Sequence, residues 1–232
     1  MDSFSDDLSL LSEFLSAPNT SAKTISIWQD LNSAYKKNSK STLTQHLLNE
    51  YIQSIGDNIA DACVEYMKGS QFASLSNSAK ATVIRDIMGE GLKVGFGKST
   101  EISQAVYSRL LQDNGYSFRA TRALLDEKRF NEIIKIAIGD SLDEDYDKAA
   151  SFISGSFRQV VQSGNRETIA ATGYELSKHG ISIFGARRTT SSDPCQYCRE
   201  RNGVLVSVDE DGDGVLFSFH DHCRCELEIV VR

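Results

Sequence analysis

The chain has 232 residues, of which 40% are hydrophobic and 25% charged, and its formal net charge is −7. This acidity argues against a free-standing nucleic-acid-binding protein, because such a protein needs a concentrated basic face. No apolar run reaches the roughly twenty residues of a membrane span. The N-terminus places acidic residues before its apolar cluster, which is the wrong order for a secretory signal. We therefore expect a protein that has no membrane partner and is intracellular when made.

Apolar residues recur at helical spacing over most of the chain. The clearest helix extends from Leu43 to Tyr66 and ends near Gly69. Cys63 falls on its apolar face, which predicts a buried structural thiol. Further helices are predicted over 78–93, 100–112, 117–125, 127–138, 143–162 and 166–178.

Two polar residues are placed to cap helices. Asp126 precedes the helix over 127–138 and Asn165 precedes the helix over 166–178, and short polar side chains at such positions satisfy free backbone amides. The acidic run 143–145 begins another helix, where the helix dipole favours negative charge. We interpret that run as a solvated helix start.

A glycine-rich stretch between two predicted helices has part of the pattern of a phosphate-binding loop. Gly97, Lys98 and Ser99 supply the last glycine, the lysine and the hydroxyl. Leu92 stands where the first glycine of the motif is required, and no buried strand precedes the stretch. We interpret it as a connection between helices.

The pattern changes at about residue 180 to short, alternating segments rich in β-branched residues. Four strands are predicted, over 181–190, 203–208, 215–219 and 225–231. The predicted fold class is therefore α+β, a mainly α-helical body with a small C-terminal β-rich zinc-binding module. The expected division is an N-terminal, flexible segment over 1–23, a helical domain over 24–180 and the module over 181–232.

Four of the five cysteines lie in the C-terminal module and have the spacing of metal ligands. Cys195 and Cys198 are separated by two residues, which lets a tight turn direct both sulfurs at one ion. His220 and Cys223 repeat that gap after a strand, a turn and a strand, as in a zinc ribbon. Cys225 competes with Cys223, because alternate strand residues share a face, and an all-cysteine set is the main variant.

Four of these five residues are expected to bind one structural zinc ion. Protein ligands at all four positions leave none for water, which is typical of a structural rather than a catalytic site. Disulfides or redox chemistry among the neighbouring cysteines are the alternative.

An acidic loop lies between the two halves of this metal site. Asp209, Asp211 and Asp213 match the first positions of a calcium-binding loop of the EF-hand type. The twelfth position holds His220 where a bidentate glutamate is required, and strands rather than helices flank the loop. A hairpin loop with solvated carboxylates is therefore the preferred interpretation.

Residues 145–232 carry a set of motifs that resembles a known family. The chain has an R…IA.T helix, a CxxC pair, a glycine at the start of the next strand and a closing HxxCRC. In these four motifs the chain is similar to the phage head morphogenesis family, the minor capsid proteins related to the F protein of phage Mu. Two positions depart from the family pattern, Asp221 in place of proline and Gly173 in place of glutamate. The matching residues are Arg166, Ile169, Ala170, Thr172, Cys195, Cys198, Gly203, His220, Cys223, Arg224 and Cys225.

The resemblance implies a minor virion protein, present in few copies, that acts in head assembly or genome delivery. The implied partners are the portal, the major capsid protein, further copies of the chain and packaged DNA. The implied location is the phage head interior or portal region, and the host cytoplasm during assembly.

Two other classes of function remain. A nucleic-acid-binding zinc module is the first alternative, and it depends on arginines around the cysteines: Arg187, Arg188, Arg199, Arg201 and Arg224. An enzyme or toxin domain ranks last, because no catalytic set is recognisable. His46 and His179 are isolated in the sequence, and Arg187 and Arg188 have no obvious acidic partner.

Overall fold

The computed structural model describes residues 21–142, 146–190, 193–210 and 225–231. The fold is α+β, mainly helical with a small antiparallel sheet near the C-terminus, as predicted. None of the helices in the described ranges combines the length and apolarity of a membrane span. In chain order the elements are α1 (Ala22–Lys37), α2 (Thr42–Lys68), α3 (Ser70–Ala73), α4 (Asn77–Asp113), α5 (Glu127–Leu142), α6 (Tyr146–Ser177), β1 (Ile183–Arg188), α7 (Gln196–Arg201), β2 (Leu205–Ser207), a 3-10 turn (Val208–Glu210) and β3 (Glu226–Val231).

Helix α2 confirms the strongest helical pattern of the sequence. Ser41 caps its N-terminus by accepting a hydrogen bond from the amide of Thr44 at 3.1 Å, and the helix ends before Gly69 as predicted. Cys63 is buried in the core, also as predicted. Burial raises the pKa of its thiol to about 11, so Cys63 is protonated at neutral pH.

Helix α4 runs through the glycine-rich stretch, so the prediction of two helices joined by a connection is wrong. Its 37 residues form one continuous helix. A Cβ atom on Gly91 would lie 2.7 Å from Cε1 of Phe157, and one on Gly95 would lie 2.5 Å from Cγ2 of Val161. These glycines therefore allow α6 to pack closely against α4, and they do not form a loop.

Helix α6 is also continuous, where two helices and a cap at Asn165 were predicted. Asn165 is only 3% exposed and lies in the middle of the helix. Its Oδ1 accepts a hydrogen bond from Ser103 Oγ at 2.8 Å, and its Nδ2 donates to Oδ1 of Asn49 at 3.2 Å. The side chain joins three helices, because α2 and α4 supply its partners. The break predicted at this point is wrong.

Residues 116–126 form an extended strap between α4 and α5, so the helix predicted over 117–125 is also wrong. Backbone amides of the strap donate to side chains of neighbouring helices. Ala120 N donates to Ser108 Oγ and Thr121 N donates to Thr172 Oγ1, both at 2.9 Å. These side-chain acceptors replace the carbonyls that a helix would supply.

The strap ends at a predicted helix cap. The carboxylate of Asp126 accepts a hydrogen bond from the amide of Arg129 at 3.1 Å, which confirms Asp126 as the cap of α5. The acidic run 143–145 lies outside the described residues.

The sheet has the strand order β2-β1-β3, and both pairs are antiparallel. These strands confirm three of the four that were predicted, and the segment 215–219 lies outside the described residues. Ile183, Leu227 and Ile229 belong to the same hydrophobic core as residues of α1, α2, α4 and α6. The sheet is therefore fixed to the helices by a shared core.

Helix α2 seals the outer edge of β3 with side-chain amides. Gln45 Nε2 donates to the carbonyl of Ile229 at 2.8 Å, and Gln45 Oε1 accepts from the amide of Ile229 at 2.5 Å. Asn49 Nδ2 donates to the carbonyl of Leu227 at 3.2 Å. These two side chains satisfy backbone groups that a fourth strand would otherwise pair with, and an unpaired edge invites aggregation.

Candidate metal centre

The CxxC pair begins helix α7 and does not lie in a hairpin turn. Cys195 is the N-cap residue, and its sulfur accepts a hydrogen bond from the amide of Cys198 at 3.5 Å. The Cys195 side chain is exposed, whereas Cys198 is 3% exposed. One turn of helix therefore brings both sulfurs to the same end of α7.

The structure brings the last cysteine beside Cys198, the buried member of this pair. Cys225 immediately precedes β3 and is 8% exposed. Cys198 and Cys225 pack together in a small buried cluster of their own, with Tyr197 against them. We call these three residues and Cys195 the cysteine cluster. It unites two segments that are separated in sequence by β2, the 3-10 turn and the acidic loop.

The remaining predicted ligands, His220 and Cys223, lie outside the described residues, as do Asp211 and Asp213. Within the described ranges, no three cysteine, histidine, aspartate or glutamate residues lie close enough together to hold a metal ion. Asp209 is exposed in the 3-10 turn, and its carboxylate accepts a hydrogen bond from the Ser207 hydroxyl. The preference for a hairpin loop with solvated carboxylates over a calcium site stays a prediction.

The described donors fit zinc in their chemistry. Cysteine sulfur is a ligand that zinc prefers, and the side chains of Cys198 and Cys225 are already buried together. An amide hydrogen bond to sulfur, as at Cys195, stabilises a thiolate ligand. Cys195, Cys198 and Cys225 would hold the ion together with His220 or Cys223.

A buried arginine lies beside the cysteine cluster. Arg187 on β1 is 0% exposed and is the largest of the fully buried side chains in the described residues. Its Cζ lies 5.5 Å from the centroid of the Tyr197 ring, and Cζ of Arg201 lies 3.7 Å from the same centroid. Two guanidinium groups therefore pack on the aromatic residue of the CxxC segment.

Two further arginines of this region form ion pairs. Arg188 Nε lies 2.6 Å from a carboxylate oxygen of Glu228, and Arg199 Nη2 lies 3.4 Å from one of Asp193. The sequence-based view that Arg188 has no acidic partner is therefore wrong. Arg224 lies outside the described residues.

His46 contacts the start of β3. Its place in the sequence had suggested an isolated histidine, and that interpretation is wrong. Its Nδ1 lies 2.9 Å from Oε2 of Glu226, and its Nε2 lies 3.7 Å from Oε2 of Glu50. The hydrogen bond to Glu226 raises the pKa of His46, whereas burial raises the pKa of Glu226. Sequence inspection missed this contact because its two partners are 180 positions apart. His179 also has a partner, since its ring lies 4.9 Å from that of Phe118.

A polar cleft of about 10 Å³ opens beside Cys225, which is room for about one water molecule. Amide and guanidinium groups of α2 and α6 line it, and Arg166 Nη2 donates to Gln162 Oε1 at 2.5 Å. Cys225 therefore faces the helices across a polar gap. The lining residues are Asn49, Ile52, Gln53, Gln162, Asn165, Arg166, Cys225 and Leu227.

The residues of the R…IA.T helix have structural positions in α6. Ile169 is buried in the core, and Thr172 Oγ1 donates to the carbonyl of Thr168 at 2.7 Å while it accepts from the strap. A Cβ atom on Gly173 would lie 2.4 Å from Cγ1 of Val208. Glycine at this position therefore lets the 3-10 turn pack directly on α6.

Gly203 has a conformation that favours glycine. Its φ is +77°, in the left-handed region, and its amide donates to the carbonyl of Arg187 at 2.8 Å. This turn returns the chain from α7 to the sheet and so helps to place the CxxC segment. In comparisons with known proteins, no family model, no curated protein and no solved structure matches the chain.

Proposed function

We propose that this chain is a minor structural protein of a tailed-phage head, in which a zinc ion fixes the C-terminal module. The observation that carries the proposal is the packing of Cys198 against Cys225, because it joins the CxxC and HxxCRC segments on which the family resemblance depends. The roles of Ile169, Thr172 and Gly203 in the fold support the same resemblance.

The zinc site that we propose includes Cys225. Its side chain is buried against Cys198, whereas the sequence alone placed Cys223 in the first ligand set and Cys225 as its competitor. The proposed ligands are Cys195, Cys198 and Cys225, with His220 or Cys223 as the fourth. The zinc ion would stabilise the module and would have no catalytic role, because four protein ligands leave no position for water.

In this proposal the protein associates with the portal or the inner face of the capsid and acts in head assembly or genome delivery. Its net charge of −7 suits contacts with other proteins better than contacts with packaged DNA. Its further partners would be the major capsid protein and other copies of the chain. It would be found in the virion and, during assembly, in the host cytoplasm.

A nucleic-acid-binding zinc module is the weaker candidate. Arg187 is buried, and Arg188 and Arg199 are paired with carboxylates, so these three side chains offer little positive charge to a phosphate backbone. Retention of the full chain on DNA at low salt, with a steep loss as salt rises, would support this candidate against the first.

The proposal is tested in two steps. Metal analysis of the purified full chain should give about one zinc per chain. Purified phage heads should contain the protein in few copies by quantitative mass spectrometry, and it should cosediment with portal-containing particles. A metal-free protein with paired cysteines would contradict the zinc site, and absence from both heads and assembly intermediates would contradict the virion assignment.

A further inference from the structure

We propose that Arg187 is the counter-cation of the thiolate centre: its buried guanidinium offsets the negative charge of the cysteine ligands and so strengthens metal binding. This inference rests on the proposed zinc site. The inference identifies Arg187 as a positioning residue that does not touch the metal and that lies outside both the CxxC and the HxxCRC segments.

The strand register places Arg187 and Cys225 on one face of the sheet. Arg187 on β1 lies directly opposite Leu227 on β3. Side chains alternate along a strand, and extending this alternation by one residue to Cys225, which directly precedes β3, places it on the same side as Leu227. Diagonal neighbours of this kind have Cβ atoms up to about 7–8 Å apart, a distance that a long side chain can span.

The aromatic ring of Tyr197 links the guanidinium to the sulfurs. Arg187 Cζ lies 5.5 Å from the ring centroid, and the same tyrosine packs against Cys198 and Cys225. The three side chains come from three separate segments, β1, α7 and the residue before β3. Arg187 is therefore adjacent to the cysteine cluster from the sheet side.

The charges of the two groups are complementary. Arginine stays protonated at any accessible pH, and water does not reach Arg187, which is 0% exposed. Three or four thiolates around one divalent ion leave the centre with net negative charge. A buried charge is tolerated best beside an opposite one, so each group lowers the cost of burying the other.

A second guanidinium lies near Cys225. Arg166 of α6 lines the polar cleft into which Cys225 faces. The whole chain has a net charge of −7, whereas two positive side chains, Arg166 and Arg187, lie in the neighbourhood of Cys225. We infer that the local charge serves the thiolates, with the buried Arg187 as the stronger contributor.

The test compares the full chain with Arg187→Met, Arg187→Lys and Arg188→Met. Arg188 is the matched control, since it is the next residue of the same strand, faces the opposite side and is exposed in its pair with Glu228. Zinc affinity is measured by competition with a chelator, and the Co²⁺ complex is measured by absorption. Arg187→Met should weaken zinc binding by about 10–100-fold, the usual effect of losing an outer-sphere partner, and Arg188→Met should leave it unchanged.

The Co²⁺ spectrum and the lysine variant separate charge from packing. Loss of the cation should shift the sulfur-to-cobalt charge-transfer band of Arg187→Met to lower energy, because the thiolates become more electron-rich. Arg187→Lys keeps the charge and should restore most of the affinity. If Arg187→Met does not fold, the lysine variant decides alone, and binding as weak as that of an unrelated thiol peptide would overturn the inference.

The remaining outcomes are also decisive. Wild-type affinity in Arg187→Met, or equal weakening in the methionine and lysine variants, would overturn the role of Arg187 and leave the zinc site standing. A wild-type chain that binds neither zinc nor Co²⁺ would overturn the zinc site, and the inference with it.

Discussion

His46 and Glu226 join the second helix to the last strand, next to the cysteine cluster. The pKa of His46 is raised above its ordinary value of 6.5 by the hydrogen bond to Glu226, so folding favours the protonated imidazole. The resulting stabilisation is complete below pH 6.5 and is lost as the pH rises through the elevated pKa of the folded state. The imidazole is 42% exposed, and solvent screening limits the effect to less than about 1 kcal/mol.

We therefore expect the free energy of unfolding to fall as the pH rises above 6.5 and through the elevated pKa of His46 in the folded state, where the imidazole loses its proton. His46→Gln should remove this part of the pH dependence. Urea unfolding of both proteins across this range measures the difference. Equal slopes in the wild type and the variant would show that the contact does not contribute.

Thr172 ties the strap to α6 through one hydroxyl group. The hydroxyl accepts from the amide of Thr121, donates to the carbonyl of Thr168 and is buried. Thr172→Val keeps the shape but leaves the half-buried amide of Thr121 without its acceptor, so we expect a loss of about 1–3 kcal/mol in urea unfolding. Thr172→Ser keeps the hydroxyl and serves as the control. A valine variant as stable as the serine variant would contradict the assigned role.

The crossing of α4 and α6 depends on glycines that face the partner helix. Gly95→Ala would place a Cβ atom 2.5 Å from Val161, and overpacking of this kind costs about 1–3 kcal/mol. Gly97→Ala on the same helix meets only the end of Arg122, at 3.7 Å. Alanine there should be neutral or stabilise by up to about 1 kcal/mol, because glycine weakens a helix.

Thermal or urea unfolding of the two alanine variants checks this difference. Val161→Ala should recover part of the stability in the Gly95→Ala background, because it removes the clashing methyl group. Equal stability of Gly95→Ala and Gly97→Ala would mean that the helices can separate without cost.

The errors of the sequence-based elements share one physical origin. Glycine and asparagine normally mark helix ends, yet Gly91, Gly95 and Asn165 lie inside helices because their partners are on other helices. The strap was predicted as a helix because its composition permits one, whereas Ser108 and Thr172 accept hydrogen bonds from its backbone amides and the strap has no regular secondary structure. Local patterns carry no information on such distant partners.

Predictions that depend on short-range patterning are confirmed. Each of three confirmed predictions depends only on residues close together in the sequence. They are the Leu43–Tyr66 periodicity, the Asp126 cap and the change to strands near residue 180. The CxxC spacing identified a candidate ligand pair, but only the fold shows that Cys225 joins Cys198. The contact of His46 with Glu226 needs knowledge of which helix borders which strand.

The molecule as a whole should survive loss of the zinc ion that we propose. Two large clusters of apolar side chains hold the helices together, and Ile183, Leu227 and Ile229 anchor the sheet in one of them. We expect chelation, or Cys198→Ser, to leave the far-ultraviolet helical signal nearly unchanged. Hydrogen exchange should show amides of α7 losing protection while those of β1 and β3 retain it.

Cys63→Ala is the matched control for this experiment, because Cys63 lies in the core far along the sequence from the proposed ligands. It should keep the metal content even if it lowers stability. Global unfolding on chelation would contradict the independence of the helical core from zinc.

The side-chain amides of α2 that bind the outer edge of β3 belong to Gln45 and Asn49, which are synthesised long before that strand. Gln45 and its partner Ile229 are 184 positions apart, so during synthesis the helix leaves the ribosome well ahead of the strand. Until β3 is made, β1 can pair only with β2, and the side chains of Gln45 and Asn49 lack their partners on β3. Strand β3 then pairs with β1 along one edge and accepts the side chains of Gln45 and Asn49 along the other. Closure of the sheet is therefore a late, long-range event, and such pairings fold slowly.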